Sequence, residues 1–200
     1  MNSNYTKKFK VVLLGESAVG KSSILSRFAK NEFDDMQEST IGAAFFSKVY
    51  SLEEINESVF LEIWDTAGQE RYKSLAPMYY RNASLIMIVF DITNYPSLVY
   101  AKSYLSKVKL HCPDSFICLV GNKCDLTHSR QVSKQMAHDL ANEYNIPYFE
   151  TSAKTGAGIH EMFTPVCMLL YKNYDNGNRM NRSLNINSFK TTDTNKNSCC

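Results

Sequence analysis

Hydrophobic residues in this chain follow two patterns: short apolar runs, and longer stretches in which apolar positions recur every three or four residues. Residues 9–14, interrupted by Lys10 alone, 85–91, which ends in Asp91, and 116–121 are runs of the first kind, as suits strands covered on both faces of a parallel sheet. Residues 43–52 and 59–65 read as a strand pair joined by an acidic turn at 53–57, and 147–151 as a short last strand. The second pattern covers 21–30, with Ile24, Leu25 and Phe28 at helical spacing, then 97–110, 133–144 and 159–172. Strands that alternate with helices imply an α/β sheet with right-handed crossovers. From residue 174 onward Asn, Ser and Thr dominate and apolar residues are few, so a flexible tail is expected there.

The first strand-to-helix junction carries chemistry. It reads Gly15-Glu16-Ser17-Ala18-Val19-Gly20-Lys21-Ser22, directly after the run at 9–14. Glycines let successive N–H groups turn inward as a nest for phosphate oxygens. The helix that follows adds the positive end of its dipole. Lys21 supplies a cation for β- and γ-phosphates, and the Ser22 hydroxyl can ligate Mg²⁺. Gly15, Ser17, Ala18, Val19, Gly20, Lys21, Ser22 and Ser23 are therefore candidate triphosphate-binding residues.

Each further motif also follows an apolar run, which places all of them at the carboxyl edge of the sheet. Asp65-Thr66-Ala67-Gly68 offers a carboxylate that can hold Mg²⁺ through water, and a glycine whose N–H can reach the γ-phosphate. Gln69 comes next, and its amide can orient a water in line with phosphorus. Asn122-Lys123-Cys124-Asp125 offers a carboxylate that can accept from the N1–H and exocyclic amine of guanine. Adenine has no such donor pair and would leave that acid unpaired. The Lys123 stem can lie along the base plane, and Asn122 can tie the segment to the phosphate loop. In Ser152-Ala153-Lys154, the Ala153 N–H can donate to guanine O6.

Composition narrows the picture further. Two hundred residues fit one domain with a tail, and 44% apolar content can bury a core. A net charge of +2 gives no sign of general nucleic-acid binding. No apolar stretch reaches the roughly 18 residues of a spanning helix, and no N-terminal apolar segment reads as a secretory signal. Asn2 stands where N-myristoylation needs glycine. Cys112, Cys118, Cys124 and Cys167 lack the paired C-x-x-C spacing of structural zinc and read as reduced thiols of a cytosolic domain, Cys167 in the core.

With five motif positions in order, residues 9–172 resemble the Ras-type small GTPases. The resemblance implies a P-loop NTPase G domain: a mostly parallel six-stranded sheet with helices on both faces. It implies GTP and GDP as ligands, Mg²⁺ as cofactor, and catalysis by Gln69, Lys21 and Thr40. Thr40 becomes the switch threonine, joining Ser22 and Asp65 as a metal ligand, and Phe33 packs edge-on against guanine. The segment around Thr40 is switch I and 68–81 switch II.

Within that superfamily the chain looks like a Rab. Ile41-Gly42-Ala43-Ala44-Phe45 and the segment 71–81 carry this likeness. Glu38-Ser39-Thr40-Ile41-Gly42-Ala43-Ala44-Phe45 and Leu75-Ala76-Pro77-Met78-Tyr79-Tyr80 are similar to the early-endosomal "Rab five" subgroup. By that likeness Phe45, Trp64 and Tyr79 form the aromatic triad read by effectors, and Cys199-Cys200 receives two geranylgeranyl groups. One lipid chain binds reversibly and two anchor stably. The implied organisation is a flexible extension at 1–8, a G domain at 9–173 and a disordered tail at 174–200. The implied partners are effectors, an exchange factor, an activating protein, a GDP-dissociation inhibitor and a prenylation escort. The expectation is a monomer on the cytoplasmic face of early endosomes or plasma-membrane-derived vesicles, with a cytosolic pool. Three alternatives stand beside this reading: a P-loop ATPase or nucleotide kinase, a Rab-type switch of another compartment, and a nucleotide-locked scaffold with negligible turnover.

Overall fold

A computed structural model of the chain describes residues 7–68 and 76–175. Strands β1 (Lys7–Leu14), β2 (Ala43–Leu52), β3 (Glu57–Thr66), β4 (Leu85–Asp91), β5 (Phe116–Asn122) and β6 (Tyr148–Glu150) form one six-stranded sheet in the order β2-β3-β1-β4-β5-β6. Helices α1 (Lys21–Lys30), α2 (Ala76–Tyr80), α3 (Tyr95–His111), α4 (Lys134–Glu143) and α5 (Ile159–Asp175) connect them. Among the described residues only the β2–β3 pairing is antiparallel. This is the α/β architecture that the alternating runs predict.

The apolar runs are buried because the sheet is covered twice. Every residue of β4 and β5 is buried. In β1, Val11 and Leu13 face a cluster with Ile24 and Phe28 of α1 and Phe163 and Val166 of α5. Val12 and Leu14 face the other side, with Leu105 and Val108 of α3 and Ala137 and Leu140 of α4. Period-two alternation thus feeds two cores from one strand. Burial pushes the Cys118 thiol up and the Cys167 thiol up to about 12. Both are packing residues rather than nucleophiles.

Strand β2 is the edge and alternates between faces: Phe45 and Val49 are exposed, while Tyr50 lies over Phe28, ring centroids 5.4 Å apart. Lys48 donates to the Phe28 carbonyl at 2.5 Å, a cation at the negative end of α1. The acidic turn closes as a 3₁₀ turn at Glu53–Ile55, with Asn56 at φ 52°. Asparagine tolerates that left-handed geometry.

The structure moves three boundaries. Lys7 and Lys8, expected in a flexible extension, pair with Val59 and Phe60 as the first rungs of β1. Helix α5 runs on to Asp175, past the expected boundary at 173, where the Tyr174 ring meets Phe9 edge-on at 6.0 Å. Helix α3 begins at Tyr95, since Pro96 favours a first turn by its fixed φ. No described helix is long and apolar enough to cross a membrane.

Candidate functional site

The loop between β1 and α1 packs so tightly that its residue types are dictated. Gly20 caps α1 at φ +92°, and a Cβ there would lie 2.3 Å from Asn122 Nδ2. No side chain caps the first turn of α1 and no acid lies in it, so its N–H groups and dipole are available to an anion. Lys21 is 5% exposed, and its Nζ donates to the carbonyls of Gly15 (3.0 Å) and Glu16 (2.7 Å). Burial pushes this ammonium down to about 8, against the pull of the Asp65 and Glu16 carboxylates. A triphosphate beside it would supply the counter-charge that burial withholds.

Three oxygens converge next to Lys21. Ser22 Oγ lies 2.7 Å from Thr40 Oγ1 and donates to Asp65 Oδ2 at 2.5 Å, and Thr40 Oγ1 reaches the same carboxylate oxygen at 3.0 Å. Burial pushes the Asp65 carboxyl up, opposed by hydrogen bonds from Ser22 and Thr40 and by the Lys21 charge. Asp65 Oδ1 is buried with no hydrogen-bond partner among the described residues. An under-satisfied buried carboxylate beside two hydroxyls is an all-oxygen donor set, which fits Mg²⁺. With Thr40 on Ser22 and Asp65, the segment around Thr40 is closed over the phosphate loop.

A second cluster forms at the ends of β5 and β6. Asn122 is buried; its Nδ2 donates to the Val19 carbonyl at 2.9 Å, and its Oδ1 accepts from Thr151 Oγ1 and Ala153 N, each at 3.2 Å. The Ala153 N–H that sequence assigns to guanine O6 is thus turned toward Asn122. Lys123 has φ 66°, and its ammonium pairs with Asp91 at 2.6 Å. Asp125 Oδ1 accepts from Ser152 Oγ at 2.5 Å. Both segments face one cleft of about 370 Å³, with Ser17, Ala18, Gly20, Lys21, Ser22, Ser23, Phe33, Thr40 and Gly68 on its phosphate and switch walls. Asn122, Lys123, Asp125, Ala153 and Lys154 line it as well. Gly15, Val19, Ser152 and Asp65 stand behind that lining and hold it through the bonds above. Gln69 lies outside the described residues, as do Cys199 and Cys200.

Sequence reasoning missed several supports. Asp91 is visible only as a strand end, yet it anchors Lys123. Arg27 and the Arg130–Glu150 pair carry no local motif. Arg130 gives Glu150 two hydrogen bonds of 2.8 and 3.0 Å, Tyr148 Oη a third of 2.8 Å, and Arg130 also reaches the Val132 carbonyl at 3.1 Å. The pair joins the stretch after Asp125 to the strand that leads into Ser152. Burial pushes the Glu150 carboxyl up, but the bonds from Arg130 and Tyr148 outweigh it and hold it below the ordinary glutamate range. A depressed carboxylate stabilises the fold above its unfolded value and loses that contribution as pH falls through the folded one. Glu150→Gln is therefore expected to lower stability by about 1–2 kcal/mol at pH 7. The gap to wild type should close in acid, once pH has fallen below the ordinary glutamate range. Urea melts at neutral and at acid pH check this; a gap that persists in acid would refute it.

The three aromatic positions form one row. Phe45 and Trp64 are cross-strand partners with rings 5.2 Å apart, and Trp64 lies 5.9 Å from Tyr79 of α2. Phe45 is 54% exposed, so the row opens to solvent at one end.

Comparison with known proteins agrees with this geometry. Residues 10–172 match the profile described as the Ras family. The chain is similar to the GTP-binding protein ypt5 of Schizosaccharomyces pombe, with 54% identity over 163 residues that cover 80% of this chain and 77% of that protein.

Proposed function

Because the chain belongs to the Ras family, and within it to the "Rab five" subgroup of Rab GTPases, we propose that it is a membrane-anchored GTP switch of vesicle traffic at early endosomes. It is a GTP hydrolase. Intrinsic hydrolysis is slow, and an activating protein that supplies an arginine raises it by about 10³–10⁵-fold. The observation that carries this reading is one cleft with Lys21 at one end and the Asp125–Ser152 pair at the other. A triphosphate at the first and a guanine at the second match the donors and acceptors on each wall.

Ser22, Thr40 and Asp65 would hold Mg²⁺, which when bound neutralises charge on the β- and γ-phosphates. Lys21 balances the remaining phosphate charge. Gly68 presents its N–H to the γ-phosphate, and the Gln69 amide orients the attacking water. A third phosphate adds to the contacts that already hold Thr40 on Ser22 and Asp65 and Gly68 against the phosphate loop, so hydrolysis weakens the hold on both flanking segments. The row runs from Phe45, just past the segment around Thr40, through Trp64 to Tyr79 within 68–81, where an effector can sense both. Geranylgeranyl groups on Cys199 and Cys200 supply the anchor, an exchange factor resets the nucleotide, and a GDP-dissociation inhibitor carries the lipidated chain through the cytosol.

The test is a competition assay followed by single-turnover phosphate release. Unlabelled GTP should displace labelled GDP while ATP at the same concentration does not, and release should accelerate on addition of cell lysate as a source of activator. Gln69→Leu should bind GTP normally and lose about 10²-fold or more of the stimulated rate, since leucine cannot position water. Displacement by ATP, or full stimulated turnover in Gln69→Leu, would overturn the respective assignment.

A further inference from the structure

We infer that Arg27 is a positioning residue for the purine: it fastens the loop that reads guanine to the helix that binds phosphate. The inference rests on the guanine-nucleotide reading above and adds to it a residue with no place in the motifs. Arg27 lies on α1, on the same helix as Ser22. Its Nε donates to the Ala153 carbonyl at 2.9 Å and its Nη2 to the Lys154 carbonyl at 2.8 Å. The Nη1 donates to the carbonyl of Asn31 at 2.8 Å and to its Oδ1 at 3.0 Å, closing the carboxyl end of the same helix.

A planar guanidinium with several fixed donors can grip two successive carbonyls and a helix end together; an ammonium cannot. The grip fixes the carbonyls of the 153–154 and 154–155 peptides, directly after the 152–153 peptide that carries the Ala153 N–H. On the other side the Ala153 N–H points toward Asn122 Oδ1 at 3.2 Å, a long bond that a better acceptor could replace. Guanine O6 is such an acceptor. Arg27 therefore sets the height at which that N–H meets the base. Other contacts keep the loop folded without Arg27: Ser152 Oγ donates to Asp125, and the Thr155 N–H donates to Ser152 Oγ at 3.1 Å. Loss of Arg27 should let Ala153 shift, and with it the 152–153 peptide that carries the N–H, while Asp125 still reads the N1–H edge.

The experiment compares wild type, Arg27→Lys and Arg27→Ala at neutral pH with magnesium present. Release of a fluorescent GDP is timed, and equilibrium affinities are measured for GDP and for 6-thioguanosine diphosphate, in which a weaker acceptor replaces O6. Arg27→Ala should release GDP about tenfold faster, with Arg27→Lys between it and wild type. Wild type should prefer the oxygen base, and that preference should shrink several-fold toward unity in both variants. Faster release with an unchanged preference would mark a general packing role and overturn the proposal, as would unchanged release. Should Arg27→Ala fail to fold, Arg27→Lys decides alone. A wild type that binds GDP but shows no oxygen preference overturns the inference and leaves the guanine reading standing. A wild type that binds no GDP overturns both.

Discussion

Asp125→Asn should weaken GTP binding by about 10²–10³-fold and make xanthosine triphosphate the better ligand. The carboxylate of Asp125 already accepts one hydrogen bond, from Ser152 Oγ at 2.5 Å. What remains of it can only accept, and guanine offers two donors on its N1–C2 edge. An amide can keep the bond from Ser152 through its oxygen, but then its NH₂ meets the guanine amine, donor against donor. Xanthine carries a carbonyl where guanine carries that amine, so the same NH₂ finds an acceptor. The phosphate wall is unchanged, and the effect should be confined to the base. Titrating both nucleotides against the variant checks this, and unaltered guanine selectivity would remove Asp125 from the base pocket.

Gly68→Ala should leave GDP affinity within a few-fold of wild type but cut hydrolysis by about 10²–10³-fold, the usual cost of removing one positioned N–H donor. A Cβ on Gly68 would stand 2.3 Å from the Glu16 carbonyl carbon and 2.4 Å from Ser17 N. These are main-chain atoms of the phosphate loop, held between β1 and α1, and they cannot swing aside. The added methyl must push Gly68 away from where its N–H meets a third phosphate. The diphosphate state does not need that contact, so the damage should appear only with GTP. Single-turnover phosphate release alongside the ratio of GTP to GDP affinity separates the two effects. Normal turnover in Gly68→Ala would show that the close approach has no catalytic role.

Sequence reading succeeded where the signal was local. Val11–Leu14 of β1 and all of β4 and β5 are buried on both faces, so each of those positions carries the same message. The phosphate loop declares itself because a single turn must bring Gly20, Lys21 and Ser22 into fixed positions. The five-residue helix Ala76–Tyr80 escaped because it is too short to show a period. Arg27 escaped for another reason: its partner carbonyls lie 126 and 127 residues away, and a carbonyl carries no residue identity that could be read. Glu150 and Arg130 are 20 residues apart on different elements, and only the fold aligns their bidentate contact. The ends of β1 and α5 were misjudged because Lys7 over the Tyr171 ring at 3.5 Å and Tyr174 against Phe9 are contacts between segments more than 160 residues apart in sequence.

Asn122 gives the cleft a common hinge pin. One side-chain amide latches the phosphate loop through Val19 with its nitrogen and the strand end that leads into the purine loop through Thr151 with its oxygen. A helper that prises open either flank must drag on this pin and so slacken the opposite flank as well. Ejecting a tightly held guest then needs a lever at one corner only.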